Sequence, residues 1–213
     1  RMGETSAKTF AIVEALADSE QMGVSELASE FEMSKGVVHN HLSTLRELGY
    51  VEKIEGKYKL SPRFLCLGHQ ERSKSPLFDP GRSAVNRLAS QFETPVFLAR
   101  RHDVDAIVTY SSGTSPTLDI EAGTTFPVGA ALVGIAMLAF CSPKTQDRLL
   151  ETNKGSGEFP ADAGSLQTVV EEGYITGPMT ALDHRGVAVP VVDDQQCRGG
   201  ICAVLIDVDE AET

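Results

Sequence analysis

Three things are scarce in this chain, and each scarcity excludes something. The 213 residues hold four cysteines, Cys66, Cys141, Cys197 and Cys202, and no two of them form a CxxC pair. Without histidines at matching spacing this excludes a zinc finger or ribbon, and it leaves buried free thiols as the expectation. A bond between Cys197 and Cys202 would need a tight turn that the sequence does not demand. Apolar runs are short. None reaches the roughly 18–20 residues of a transmembrane helix, and the longest, about 128–141, reads as a buried helix. The opening residues, Arg1-Met2-Gly3-Glu4-Thr5, lack the charged-then-apolar order of a signal peptide, so the cytoplasm is the expected compartment. Long polar tracts and internal repeats are absent as well.

Basic residues are the third scarcity: 19 Lys and Arg stand against 30 Asp and Glu, a net charge of −11. An acidic surface with few lysines aids solubility and would suit a salt-rich cytoplasm. The distribution says more than the total. Residues 1–34 carry two basic and seven acidic groups, and residues 76–213 carry nine and nineteen. Only residues 35–75 reverse the sign, with eight basic groups against four acidic. Fields act within a Debye length of about 8–10 Å, so a local basic segment can face a polyanion on an acidic protein.

Periodicity orders the first third of the chain. Phe10, Ile12, Val13, Leu16 and Ala17 predict a helix over 6–17, and Val24, Leu27, Ala28 and Phe31 a short second one over 24–31. Ser34 is an N-cap for a third helix over 35–48, which Gly49 ends. Alternating residues on either side of Glu55-Gly56 predict a β-hairpin from 50–54 and 57–60. Three helices followed by a small hairpin is the order of a winged helix-turn-helix.

The third helix carries the chemistry. Val38, Leu42 and Leu45 share one face. At about 100° per residue the opposite face is Gly36, Asn40, Ser43 and Glu47, flanked by His39 and Thr44. A helix entering the major groove needs small and polar groups there, because amide and imidazole groups pair with base edges. Asn40 is the candidate for an adenine contact, and Ser34 and Lys35 are placed for a phosphate. Lys53, Lys57 and Lys59 of the hairpin reach for neighbouring phosphates or the minor groove. The plainer reading is a solvent-facing helix with no ligand. His39 and His41 point about 200° apart and cannot share a metal ion, so no metal is expected.

Beyond Ser61-Pro62 a helix is expected over 63–73, packing through Phe64, Leu65, Leu67 and Gly68, with the linker-like Ser73-Lys74-Ser75-Pro76 after it. A helix over 80–92 begins with Pro80 in its first turn. Strands follow at 95–101 and 105–110, then a loop at 111–116, helices over 130–140, after Ser142-Pro143 and over 163–173, and a late strand pair, 186–192 and 200–208. The expected class is α+β. Its parts are a winged helix-turn-helix over 1–62, a linker helix over 63–77 and a mixed α/β domain over 78–213. His102 beside Asp103, and His184 beside Asp183 and Arg185, are the nearest approach to catalytic groups. With no nucleophile elbow, metal triad or phosphate loop, neither an enzyme nor a cofactor is expected.

Residues 10–67 resemble the DNA-binding domain of the IclR family of transcription regulators. The resemblance rests on Val24-Ser25-Glu26-Leu27-Ala28, Ser34-Lys35-Gly36-Val37-Val38-His39, Leu45-Arg46-Glu47-Leu48-Gly49-Tyr50-Val51-Glu52 and Lys57-Tyr58-Lys59-Leu60-Ser61-Pro62-Arg63-Phe64-Leu65. The later residues resemble the family's PAS- or GAF-like effector-binding domain, through Gly123-Thr124-Thr125-Phe126-Pro127, Gly134 and Val187-Ala188-Val189-Pro190-Val191. The likeness implies a regulator that binds double-stranded DNA as a homodimer or a dimer of dimers and answers a small organic effector.

Several positions depart from the family pattern. Gly36-Val37 replace a Ser-Thr pair, and Asn40 replaces a frequent Arg. In the second domain Gly129 stands for His, Ile135 for Lys, Gly186 for Cys, and Ala203 and Leu205 for serines. The stretch between Tyr174 and Asp183 looks short, and the family's terminal helix is missing after Val208. With those polar groups lost, two readings stand. One is an altered pocket for a more apolar ligand, around Gly123, Phe126, Gly129, Ala130, Ala131, Leu132 and Met137, with backbone N–H groups near Gly123 and at 129–131 as the donors that remain. The other is a domain kept for dimerisation, in an architectural DNA-binding protein without an effector. For each apolar residue, ordinary core packing competes with either.

Overall fold

The first helix, α1 (Glu4–Ala17), buries Ile12, Val13, Ala15 and Leu16. Phe10, expected on that face, is 63% exposed, and Ala17 is exposed too. The reason is geometric: Phe10 stands two residues, or about 200°, from Ile12. In α2 (Val24–Glu30) Leu27 and Ala28 are buried, and the Glu26 carboxylate accepts from the Gly23 N–H at 2.6 Å. α3 (Lys35–Glu47) has Ser34 as its N-cap, with Oγ accepting from the Val37 N–H at 3.3 Å. It presses Val38, Leu42 and Leu45 into one core with Ile12, Leu16, Leu27, Val51 and Tyr58.

β1 (Val51–Ile54) and β2 (Lys57–Leu60) pair antiparallel, Ile54 opposite Lys57. Glu55 and Gly56 both have positive φ, 49° and 88°, so the two-residue connection is a type I′ turn, whose twist matches that of the strands. Met22 adds a bridge that no periodicity announced: it exchanges two backbone hydrogen bonds with Tyr58, at 2.9 and 2.7 Å. α4 (Arg63–Ser73) occupies the expected residues but buries none of them. Phe64 leans on Tyr50, ring centroids 5.3 Å apart, while Leu65, Cys66, Leu67 and Gly68 are exposed. The anticipated packing face is therefore left uncovered by the described residues of this unit, and Cys66 is not a buried thiol.

This computed structural model describes residues 4–115, 118, 120–152, 161–179, 184–194 and 196–205. It forms two compact units, Arg1–Arg72 and Ser73–Thr213. The division falls inside the 63–77 segment read as a linker.

In the second unit α5 (Phe78–Phe92) precedes β3 (Val96–His102), β4 (Asp105–Ser112), β5 (Thr125–Pro127), α6 (Leu132–Leu138), α7 (Pro143–Thr152), α8 (Ala163–Glu172), β6 (Ile175–Met179), β7 (His184–Asp193) and β8 (Gln196–Leu205). The strands form one antiparallel sheet in the order β5-β4-β3-β8-β7-β6. β5 and β6 were not anticipated, and α6 is shorter at both ends than the expected 130–140. Residues 206–208 of the expected last strand, and Pro116 of the expected loop, lie outside the described residues. All four cysteines are free, Cys197 and Cys202 included.

Each face of the sheet carries its own cluster. Phe97, Ala99, Val108, Ala188, Cys202 and Val204 pack with α6 and with Leu149, Leu166 and Val169. Val96, Leu98 and Ile201 pack with Val85 and Ala89 of α5. Glycine is needed at 134, where an added Cβ would lie 2.3 Å from the Val128 carbonyl oxygen. That absence lets α6 sit against the chain that leads into it.

Candidate nucleic-acid interface and regulatory unit

With Val38, Leu42 and Leu45 buried, α3 turns its other side outward. Ser34, Lys35, Gly36, His39, Asn40 and Thr44 are exposed and Ser43 is half-buried. A Cβ added at Gly36 would meet nothing within 4 Å, so the start of the helix is open to close approach. Thr44 Oγ1 donates to the Asn40 carbonyl at 3.0 Å, and Ser43 Oγ lies 3.4 Å from His39 Nδ1. His41 faces the other way and its Nδ1 lies 2.8 Å from Thr9 Oγ1. No group of three metal-ligating side chains occurs among the described residues.

In the hairpin, Lys53 and Lys57 are exposed and Lys59 is half-buried. Lys57 Nζ is 3.8 Å from Glu26 and Lys59 Nζ 3.5 Å from Glu52, while Lys53 Nζ sits 5.3 Å from the centre of the Tyr58 ring. Exposed pairs at such distances are worth about 1 kcal/mol or less, so these partners hold the lysine side chains only weakly. The sequence reading passed over Val37. It is 39% exposed beside Asn40 and Thr44, and it offers methyl groups where a thymine methyl could pack. Its position, about 60° from Asn40 on the helical wheel, was the available signal.

The residues singled out in the second unit divide by burial. Gly129, Ala130, Leu132 and Met137 are buried, Phe126 and Ala131 are half-buried, and Gly123 is exposed. Phe126 stacks at 5.8 Å on Phe97. Three of the backbone donors expected to remain are engaged. The Gly123 N–H donates to the Val108 carbonyl at 2.8 Å, and the Ala130 and Ala131 N–H groups both donate to Pro127 at 3.1 Å. β7 and β8 divide the remaining positions between the two faces of the sheet. Gly186 pairs with Val204 and Ala188 with Cys202, on the α6 face. Ala203 instead packs in the α5 cluster. Strand side chains alternate, so Leu205 shares the side of Ala203, and these two positions lie on the face opposite Gly186. On the α6 face the Gly186 space is filled by Met179, whose Sδ would lie 2.8 Å from an added Cβ.

Residues 10–53 match the family described as bacterial regulatory protein, arsR family, which is the helix-turn-helix portion alone. Over 176 residues the chain is 26% identical to the HTH-type transcriptional regulator ArcR of Halobacterium salinarum, covering 76% of this chain and 67% of that protein. The IclR-type regulator structure from Alicyclobacillus acidocaldarius superposes with a TM-score of 0.80 at 20% identity, covering 100% of this chain and 93% of that one. An IclR homologue from Microbacterium hydrocarbonoxydans, solved with 4-hydroxybenzoate, gives 0.77 at 17% identity, covering 97% and 92%. The chain is a DNA-binding transcriptional regulator of the winged helix-turn-helix class. Its fold is that of the IclR transcriptional regulators, a helix-turn-helix unit followed by a mixed α+β unit. No helix among the described residues is long and apolar enough to cross a membrane.

Proposed function

We propose that the protein binds a partly palindromic operator as a homodimer, reading bases through α3 and gripping the backbone through the β1–β2 hairpin. The observation that carries this is the exposed face of α3, with Asn40 at its centre and Ser34, Lys35, Gly36, His39, Ser43 and Thr44 around it. It lies in the one stretch of chain whose charge is positive. Amide groups discriminate adenine in the major groove, and the lysines 53, 57 and 59 supply register without sequence. One winged unit covers one half-site, and a pair aligned on a two-fold axis covers two.

Dimerisation is supported by apolar side chains the unit leaves uncovered: Phe10 of α1, and Leu65 and Leu67 of α4, at 63%, 76% and 44% exposure. Residues 63–77 act in this reading as the link between reader and regulatory unit. The test is direct. A duplex selected from random sequence by the intact protein should carry an inverted repeat, and light scattering should give twice the chain mass. A monomer at binding concentrations, or selected sites without symmetry, would refute the reading.

The second unit ties this binding to a small molecule, as the likeness to a regulator solved with a hydroxybenzoate suggests. The positions 123, 126, 129–132 and 137 favour a neutral or largely apolar ligand there, because the Gly123, Ala130 and Ala131 N–H groups are occupied. The burial of four of those seven residues equally supports an assembly role without an effector. Thermal-shift screening against metabolites separates the two.

A further inference from the structure

The second unit contains a cleft of about 410 Å³ lined by Arg100 and Arg101 of β3, Arg198 and Gln196 of β8, and Ser142 and Thr145 at the start of α7. Met137, Phe140, Cys141, Cys197 and Gly199 complete its wall. None of these residues is acidic, in a chain whose acids outnumber its bases 30 to 19. Arg100 and Arg101 are neighbours on β3, so their side chains leave on opposite faces of the sheet, and Arg101 and Arg198 are the two cations whose fields add in the cleft within a Debye length of about 8 Å.

Each of these two arginines has a polar neighbour. Arg101 Nη1 donates to the Asp103 carbonyl at 3.0 Å, and Arg198 Nε stands 3.7 Å from the Asp193 carboxylate. Both acids of this neighbourhood are exposed, and Asp103 gives its carboxylate to Arg148 at 3.0 Å. A guanidinium has five N–H donors, so one such contact leaves it able to grip a carboxylate or phosphate in bidentate fashion. Ser142 caps α7: its Oγ accepts from the Thr145 N–H at 3.3 Å and lies 2.9 Å from Thr145 Oγ1. Two hydroxyls and the positive end of a ten-residue helix therefore open beside the arginines. Met137 and Phe140 offer an apolar wall for a carbon skeleton, and the volume lies within the range of small-molecule pockets.

We propose that this cleft binds a small organic polyanion, a phosphate ester or a di- or tricarboxylate, at a place separate from Gly123, Phe126 and the N-terminal end of α6. Two acidic groups on one small skeleton would engage Arg101 and Arg198 together, with the α7 hydroxyls on the remaining oxygens. A monovalent acid fills only half of this set and binds less well.

Calorimetric titration of the intact protein with citrate and with pyrophosphate, at ionic strength held constant with sodium chloride, tests the assignment. Saturable binding of at least one probe, one per chain, is expected, weakened at least tenfold in Arg101→Gln and Arg198→Gln and unchanged in Arg87→Gln on α5. Arg101→Lys with Arg198→Lys keeps the charge but loses the bidentate fork, and should fall between wild type and the Gln variants. No saturable binding of either probe, or equal affinity in wild type and the doubly substituted Gln protein, overturns the proposal. Operator binding is measured on the same samples. Its loss in wild type would sink the DNA reading, whereas normal operator binding without anion binding sinks only this one.

Discussion

Thr9 of α1 and His41 of α3 meet at 2.8 Å, hydroxyl to Nδ1, and this contact assigns a tautomer. The Thr9 hydroxyl also donates to the Thr5 carbonyl at 3.0 Å. A carbonyl can only accept, and a hydroxyl has one hydrogen, so His41 supplies its Nδ1–H. The bond ties α3 to α1, on the side of α3 away from Asn40. Thr9→Val should lower the stability of the first unit by about 1 kcal/mol, the usual worth of such a bond, measured by urea denaturation. An unchanged midpoint would mean that water replaces the bond at no cost.

Asn40→Ala should cost about 1–3 kcal/mol on the preferred operator and little on a scrambled duplex, because it removes a base contact and not a phosphate contact. Lys57→Gln should behave oppositely, weakening both duplexes alike and lowering the salt-dependence slope by about one. Fluorescence anisotropy over a salt series reads both. An unchanged ratio of the two duplexes for Asn40→Ala would show that another residue reads the bases.

Leu65→Glu should leave the fold intact, because the side chain is 76% exposed, and should raise the dimer dissociation constant at least tenfold. Sedimentation velocity measures it. Binding to a full palindrome should fall with it, while binding to an isolated half-site stays. A dimer unaffected by the change would place the interface elsewhere.

Burial pushes the Cys202 thiol up to about 12, and burial foremost pushes Cys197 up to about 11. In the unfolded chain a thiol ionises near pH 8.5. Between that value and the folded ones the unfolded state holds fewer protons, so the native state loses stability as pH rises through this window. Cys202→Ala lowers stability at neutral pH through lost packing, but it should flatten the decline of Tm between pH 8 and 10.5. At pH 8 iodoacetamide should label the exposed Cys66 first and Cys202 only on unfolding. Early labelling of Cys202 would mean that the sheet opens on the labelling timescale.

Gly134→Ala places a methyl group 2.3 Å from the Val128 carbonyl oxygen, inside backbone that cannot give way cheaply. A loss of about 1–3 kcal/mol is expected, as for other overpacked cores, with the melting of the second unit as readout. Retention of full stability would mean that α6 is free to shift.

Local rules were enough where the signal was short-range. α3, its Ser34 cap and the hairpin followed from spacing, from one capping side chain and from a two-residue turn. They were insufficient where partners lie far apart in the chain. The Met22 bridge to Tyr58, the short β5 against β4 and the edge strand β6 have no periodicity of their own, because long-range pairing makes them strands. Parity separates Ala203 and Leu205 from Gly186, because alternate residues of a strand face opposite sides of the sheet and resemblance alone does not say which side is which. The arginine cleft escaped for a related reason: Arg100, Arg198 and Thr145 come from three elements, and no window of sequence contains them together. On α1 and α4, Phe10 and Leu65 were read as inward-facing because hydrophobicity alone does not say which surface will cover a side chain.

Among the described residues each unit has hydrophobic clusters of its own: one running from Ile12 to Phe64 in the first, and two in the second, beginning at Leu77 and at Phe97. A splice placed in Ser73-Lys74-Ser75-Pro76 therefore cuts between these clusters. Such a seam lets genes trade whole parts: a reader of one operator can be joined to a sensor of another metabolite, and neither half needs its interior rebuilt. Within this architecture, changing what is sensed and changing what is read are separate inheritances.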